Sequence, residues 1–282
     1  MSHTMIEYGQ LQAVEIVQAD GASAIISLFG AQVLEWKSAD GRQRLFCSKQ
    51  AALDGSKAIR GGIPVIFPQF GAFGPGQRHG FARLVMWHLD GCGSDENGVF
   101  AEFSLTQHGM PAEMQAQYPC HLSYRVQLSA NALDLQLRVE NLGQENIMFT
   151  SALHSYLALG EIEQTQIHGL QGLFITDYVK NPPEPSWQED ATLVIHDKVE
   201  RSYHVIKANI ELETGGQTLA LQQSGFTDAM IWNPGAADAK ALSDLADEEF
   251  TQFVCIEPAL LMPCVLEAGQ SWVGAHRMTV QS

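Results

Sequence analysis

Residues 121–140 read HLSYRVQLSANALDLQLRVE, and their second half alternates apolar with polar residues. The apolar positions are Leu133, Leu135, Leu137 and Val139. Successive side chains of a β-strand point to opposite faces, so this period of two predicts a strand with one buried and one solvated face. Comparable runs rich in Val, Ile, Leu and Phe recur from residue 11 to residue 280, and turn dipeptides such as Asp20-Gly21 separate several of them. The chain is therefore expected to consist mainly of strands.

Helical periodicity is nearly absent from the sequence. Residues 111–118 and 239–246 each have room for about two turns of helix, and we interpret both as connections between strands. Many strands at fairly even spacing, with no long helix and no compositional break between them, predict an antiparallel sandwich or barrel. We therefore expect an all-β protein that forms a single domain over residues 1–282.

The composition is that of a globular protein with an ample core. Of the 282 residues, 45% are hydrophobic and 17% are charged, which does not fit a disordered chain. The net charge of −16 argues against nucleic acid or an anionic membrane as a partner, because both would be repelled. The start of the chain resembles no secretory leader, and no apolar run approaches the roughly 20 residues that span a bilayer. We expect a cytoplasmic protein.

The five cysteines form no CxxC pair, and their number is odd. This pattern favours reduced structural thiols over disulfides or a zinc site. We therefore expect no metal. We also expect no other cofactor, a small molecule as the partner, and a monomer.

Residues 58–83 read AIRGGIPVIFPQFGAFGPGQRHGFAR and combine paired glycines with two prolines. Glycine permits positive φ and proline removes an amide donor, so this backbone is typical of a binding site and not of a regular strand or helix. The segment carries polar residues and apolar residues for its walls: Arg60, Gln69, Arg78, His79 and Arg83, with Phe67, Phe70, Phe73 and Phe81.

The arginines of this segment form a local positive region in a chain with 16 Lys and Arg against 32 Asp and Glu. The planar fork of arginine donates two parallel hydrogen bonds to a phosphate or a carboxylate. We therefore predict an anionic small-molecule ligand. The alternative is that the arginines are exposed side chains of a long loop.

His154 and Glu257 are the candidates for acid–base chemistry. His154 lies in the strand pattern SALHSYLAL, and Glu257 directly follows the apolar run QFVCI, where burial is expected. A His–Glu pair of this kind can open and close a sugar ring, the base taking the proton of the anomeric hydroxyl and the acid protonating the ring oxygen. The alternatives are a structural histidine, and a carboxylate that caps a turn or pairs with a cation.

Five segments in this order resemble the hexose-6-phosphate mutarotase branch of the aldose 1-epimerase superfamily: RGGIPVIFPQFG, HGFAR, SALHSYL, IWNPG and DEEFTQFVCIEPA. The resemblance covers nearly the whole chain and implies a large antiparallel β-sandwich of the galactose-mutarotase type. It also implies that His154 faces the ring oxygen as the acid and that Glu257 is the base at the anomeric hydroxyl. In such an enzyme Arg60 and Arg83 would hold the phosphate, and His79 and Gln69 would surround the substrate.

One segment departs from the family pattern. Where relatives carry an aspartate in V-D-R-x-Y, this chain has Glu200 in VERSY, and Asp197 is a rival for that position. Asp228 is a second acidic candidate for substrate binding. We interpret Arg78 as a solvated loop cation and Trp232 as a packing wall or a stacking platform.

The function expected from these residues is interconversion of the α and β anomers of a hexose 6-phosphate, with glucose 6-phosphate as the first choice. A non-catalytic sugar-phosphate-binding module would need the arginines but not the His–Glu pair. A mutarotase of unphosphorylated aldoses would need the pair but not the arginines. A glycosidase would ordinarily need two opposed carboxylates, which only Glu257 with Asp228 could imitate.

Overall fold

The computed structural model describes residues 3–72, 74 and 76–281. These residues form 21 strands: β1 His3–Tyr8, β2 Leu11–Val17, β3 Ser23–Ser27, β4 Val33–Lys37, β5 Val65–Ile66, β6 His88–Asp95, β7 Gly98–Leu105, β8 Cys120–Leu128, β9 Ala132–Asn141, β10 Ile147–Leu153, β11 Tyr156–Ala158, β12 Gln166–His168, β13 Phe174–Asp177, β14 Glu184–Trp187, β15 Thr192–Val194, β16 Val199–Tyr203, β17 Ile210–Thr214, β18 Gln217–Ser224, β19 Asp228–Asn233, β20 Phe253–Leu266 and β21 Ser271–Gln281. The helices are short: α1 Ala112–Gln115, α2 Gly235–Ala239, and 3-10 turns at Ala82–Leu84, Gln107–Gly109, Ile162–Gln164 and Glu249–Gln252.

The strands form three sheets, and every ladder between two of these strands is antiparallel. The first sheet has the order β1-β2-β3-β4. The second, the eight-stranded sheet, has the order β14-β13-β16-β19-β20-β10-β5, with β11 paired to β20. The third, the nine-stranded sheet, has the order β15-β12-β17-β18-β21-β9-β8-β7-β6. The expectation of an antiparallel all-β protein is confirmed.

The alternation in residues 132–141 has the predicted consequence. Leu133, Leu135, Leu137 and Val139 of β9 are buried, whereas Gln136 and Arg138 between them are exposed. The buried face of β9 packs toward the eight-stranded sheet, and both large sheets contribute to one apolar cluster. Aromatic pairs fill the space between them, as where the rings of Phe149 and Trp272 meet edge to face at 5.5 Å.

The paired glycines of the predicted binding segment have a steric cause. Gly62 has φ of +59°, and a β-carbon on it would lie 2.1 Å from the carbonyl oxygen of Val33. Gly61 has φ of +124°, and a β-carbon there would lie 2.4 Å from the Cα of Cys47. Only glycine tolerates both the backbone angle and the close approach. The glycines thus fix Arg60, which precedes them, against the first sheet.

The two segments predicted to be helical differ in outcome. Residues 111–118 contain α1, as expected. The expectation of a helix over residues 239–246 is wrong, because the second helix covers Gly235–Ala239 and residues 240–246 are irregular. Side chains satisfy the backbone there: Glu249 accepts the amide N–H of Ala246 at 3.0 Å and the hydroxyl of Ser48 at 2.6 Å. In the described part of the chain, no helix is long and apolar enough to cross a membrane.

Candidate active site

A cavity of about 760 Å³ opens on one face of the eight-stranded sheet. Its wall includes six of the eight predicted site residues: Arg60, His79, Arg83, His154, Glu200 and Glu257. The strand register explains why they meet. Met230 of β19 is opposite Glu257 of β20, and Trp232 of β19 is opposite Glu200 of β16, so period two brings these side chains to the same face. His154 follows the end of β10, the other neighbour of β20.

His154 and Glu257 form a buried pair. The Nδ1 atom of His154 lies 3.3 Å from Oε1 of Glu257. Among the described residues, neither His154 Nδ1 nor Glu257 Oε2 has a hydrogen-bond partner. Burial raises the pKa of Glu257 well above its usual value, and the charge of Glu200 adds to this effect. Burial lowers the pKa of His154 well below its usual value, and His79, Arg83 and Arg60 lower it further. The two groups are therefore suited to share one proton.

Tyr156 fixes the ring of His154 from one side. The two rings are parallel within 6° at a centroid distance of 4.8 Å, and Trp232 meets the His154 ring nearly edge-on at 6.2 Å. The hydroxyl of Tyr156 accepts a hydrogen bond from Nη1 of Arg60 at 3.0 Å. This tyrosine thus connects the acid–base pair to the cationic part of the cavity. A strand through SALHSYLAL would put Tyr156 on the same face as His154, two residues before it, but the sequence gives no sign of the contact with Arg60.

Four of the chain's 16 cationic side chains line this cavity: Lys57, Arg60, Arg78 and Arg83. Arg60 is already paired, since its Nε and Nη2 donate to Asp244 at distances of 3.1 to 3.2 Å.

Arg83 is different. Its Nη2 donates to the carbonyl oxygen of Arg78 at 3.0 Å, its Nε has no partner, and no described carboxylate forms an ion pair with it. Burial lowers the pKa of Arg83 to about 10, so the guanidinium remains charged at neutral pH.

The interpretation of Arg78 as a solvated loop cation describes its exposure but not its place in the cavity wall. Its side chain is exposed, as expected for a loop residue, but it lines the cavity beside Arg83. Asp244 and Lys57 are further cavity residues that the sequence did not indicate. Both belong to turns, whose course the strand pattern does not determine.

His79 lies in the cavity wall with a left-handed backbone at φ of +64°. Its Nδ1 accepts the amide N–H of Gly71 at 3.3 Å, which leaves the proton of the neutral ring on Nε2. Burial, aided by the charges of Arg83, Arg78 and Arg60, lowers its pKa to about 3. His79 is therefore a neutral hydrogen-bond donor, 5.5 Å from the ring of His154.

Two predicted substrate-binding residues lie outside the cavity wall. Gln69 is buried, and its side-chain amide donates to the carbonyl of Gly71 at 3.2 Å and accepts the N–H of Gly76 at 2.9 Å. Asp228 is also buried and accepts the N–H groups of Val205 and Leu261, each at 3.3 Å. These backbone contacts use the polar atoms of both side chains, and neither side chain lines the cavity.

Of the other residues expected near the site, some line the cavity and some lie outside it. Glu200 lines the cavity, whereas its rival Asp197 is exposed outside it and accepts the N–H of Lys198. Of the four phenylalanines expected to form walls, Phe70 lines the cavity, whereas Phe67 and Phe81 are part of the apolar core. Phe73 lies outside the described residues.

Comparisons with known proteins agree with one another on the family. The aldose 1-epimerase family model matches residues 12–279. Proteins named "Putative glucose-6-phosphate 1-epimerase" from Cenchrus ciliaris and Escherichia coli (strain K12) are 31% and 30% identical to this chain, covering 94% and 86% of it and 83% and 82% of their own lengths.

Solved structures of related proteins share the fold of this chain. The crystal structure of a "putative mutarotase (YeaD)" from Salmonella typhimurium superposes with a TM-score of 0.89 at 25% identity, covering 100% of this chain and 94% of the other. Galactose 1-epimerase from Lactobacillus acidophilus shares the fold, with a TM-score of 0.75 at 12% identity over 99% of this chain and 98% of its own. The expected β-sandwich of the galactose-mutarotase type is confirmed. The chain belongs to the aldose 1-epimerase family of isomerases.

Proposed function

We propose that the chain interconverts the α and β anomers of glucose 6-phosphate by opening and closing the pyranose ring. The observation that carries this proposal is one cavity lined by the buried His154–Glu257 pair and by the Arg83 guanidinium, which forms no ion pair with a described residue. The names of the relatives from Cenchrus ciliaris and Escherichia coli support the same substrate.

The reaction needs two proton transfers at opposite sides of the anomeric carbon. Glu257, as the carboxylate, takes the proton of the O1 hydroxyl while protonated His154 gives its proton to the ring oxygen O5. The C1–O5 bond breaks and C1 and O1 form the aldehyde. Rotation about C1–C2 then exposes the other face, and the reverse transfers close the ring. The pair holds one proton throughout, first on His154 and then on Glu257, so no net charge is created in the buried site.

The phosphate has two roles in this scheme. Arg83 has free donors for its oxygens, and Arg78 and Lys57 add positive charge around it. Burial lowers the pKa of His154 in the empty cavity, and the charges of Arg83 and Arg60 lower it further; a phosphate dianion offsets these two charges. Binding of the phosphate therefore favours protonation of His154, which is the state that ring opening requires.

Anomer exchange measured by magnetization-transfer NMR tests the proposal directly. Glucose 6-phosphate and free glucose are compared with and without enzyme, in buffer that contains a chelator. We expect faster exchange of the phosphorylated sugar alone, with no need for added metal. Equal acceleration of free glucose would assign the chain to unphosphorylated aldoses. Acceleration of neither sugar would contradict the proposed activity and leave sugar-phosphate binding, which titration calorimetry measures.

A further inference from the structure

The reaction proposed above does not use Cys255, although this residue lies beside the catalytic pair. Cys255 and Glu257 are two positions apart on β20, so their side chains share a face, and His154 is next to them. The sulfur of Cys255, a ring nitrogen of His154 and a carboxylate oxygen of Glu257 all lie within 4.8 Å of one another, and all three residues are buried. The spacing of the cysteines did not indicate this cluster.

A thiolate, an imidazole and a carboxylate together are a donor set typical of zinc. Zinc binds sulfur at about 2.3 Å and nitrogen or oxygen at about 2.0 Å, so two donors of one tetrahedral ion lie about 3.3 to 3.5 Å apart. The three donors, within 4.8 Å of one another, must therefore approach by up to about 1.3 Å to bind one ion, a movement that side-chain rotation can supply.

Two atoms of the cluster lack any other partner. His154 Nδ1 and Glu257 Oε2 are buried and form no hydrogen bond within the described residues. His154 and Glu257 also line the cavity, so a fourth ligand position on the ion could be filled by water.

We propose that His154, Cys255 and Glu257 form a binding site for zinc and related divalent cations, and that an ion bound there stops anomer exchange. Binding displaces the thiol proton of Cys255 and the proton shared by His154 and Glu257, because metal ligands must be deprotonated. An ion in this position occupies both groups that transfer protons. The inhibition half of this proposal rests on the proposed function, but the binding half does not.

Cobalt is the probe for binding, because a thiolate ligand gives Co²⁺ a charge-transfer absorption that nitrogen and oxygen ligands do not. Chelator-treated wild-type protein is titrated with Co²⁺ beside Cys255→Ala and the matched control Cys120→Ala, which removes a buried thiol from the nine-stranded sheet. We expect the thiolate band in the wild type and in Cys120→Ala, its absence in Cys255→Ala, and its loss from the wild type on addition of Zn²⁺. No band in the wild type, or an equal band in Cys255→Ala, would overturn the site.

Inhibition is measured by anomer exchange of glucose 6-phosphate with increasing Zn²⁺. Cys255→Ala should keep its activity and need at least about tenfold more Zn²⁺ for half inhibition, since even outer partners of metal sites contribute that much to affinity. If Cys255→Ala does not fold, Cys255→Val, which retains an apolar side chain, takes its place. Cobalt binding without Zn²⁺ inhibition would refute the inhibitory role. A thiolate band in a wild type that shows no exchange activity would refute the proposed function and leave the site intact.

Discussion

Replacing Arg83 with alanine is the substitution that separates a phosphate-specific enzyme from a general mutarotase. Arg83 uses one N–H of Nη2 on the carbonyl of Arg78, and among the described residues its Nη groups make no other hydrogen bond, which leaves at least two N–H groups for a phosphate. A hydrogen bond to a charged group contributes about 1.5–3 kcal/mol. Arg78 and Lys57 remain in the cavity and offset part of the loss, so we expect about 3 kcal/mol. This corresponds to a decrease of about 150-fold in kcat/KM for glucose 6-phosphate.

The loss should appear mainly in KM. The guanidinium of Arg83 binds the phosphate, which does not change during ring opening, and such uniform binding affects KM more than kcat. Removal of Arg83 also removes a positive charge that lowers the pKa of His154, so protonation of this acid becomes easier in the variant. These effects together predict that kcat changes far less than KM.

Anomer exchange of glucose 6-phosphate and of free glucose provides the measurement, because free glucose cannot report on the phosphate contact. Arg125→Ala is the matched control: Arg125 lies on the nine-stranded sheet, away from the cavity, and pairs with Asp95 and Glu102. Its kinetics should match the wild type. Arg83→Lys keeps the charge without the fork and should fall between wild type and Arg83→Ala. An equal loss for both sugars in Arg83→Ala would refute the assignment of this residue to the phosphate.

Three further predictions concern other parts of the molecule. His154→Ala and Glu257→Gln should each reduce exchange of glucose 6-phosphate at least about 10²-fold with unchanged circular dichroism, whereas wild-type rates would exclude the acid–base roles. Asp244→Asn removes the carboxylate paired with Arg60 and should lower KM for glucose 6-phosphate but not for glucose; a raised KM would mean that Asp244 mainly positions Arg60. Burial lowers the pKa of His276 to about 4, so the unfolded chain binds more protons between pH 6.5 and 4, and the free energy of unfolding should fall by up to about 1.4 kcal/mol per pH unit as pH decreases. Urea unfolding of His276→Gln should show a smaller slope, and an unchanged slope would exclude this residue as its source.

The parts of the fold that sequence could predict are those with a local cause. The alternation of Leu133 to Val139 determines which face of β9 is buried, whatever its neighbours are. The left-handed backbone at Gly61 and Gly62 is likewise visible as a pair of glycines. The acid–base candidates belong to the same class, because His154 and Glu257 each lie in or beside an apolar strand pattern.

The positions that the sequence could not predict are those set by long-range geometry. Asp228 shares the strand face of Met230 and Trp232, but a strand rises about 3.3 Å per residue, which puts it about 13 Å along β19 from Trp232. The periodicity identified the face correctly and could not identify how far along it the cavity extends. The roles of Arg78 and Asp244 depend on the paths of turns, for which the sequence has no period. The place of Gln69 could not be predicted because an amide can bind a sugar or close its own loop, and here it bonds the loop that contains Gly71 and Gly76.

The phosphate and the proton pair are coupled through charge, and this coupling can be tested with the substrate in two pieces. In the empty cavity, burial disfavours protonated His154 and favours protonated Glu257, and the charges of Arg83 and Arg60 disfavour protonated His154 further, which places the proton where it blocks the base. A free sugar does not change this field, but a separate dianion at Arg83 would. Sulfate is a suitable dianion because it is too weak a base to catalyse mutarotation itself.

Sulfate should therefore accelerate enzyme-dependent exchange of free glucose in a saturable way, and Arg83→Ala should abolish the acceleration. A rate of glucose exchange that sulfate leaves unchanged would show that the phosphate only anchors the substrate and has no part in placing the proton.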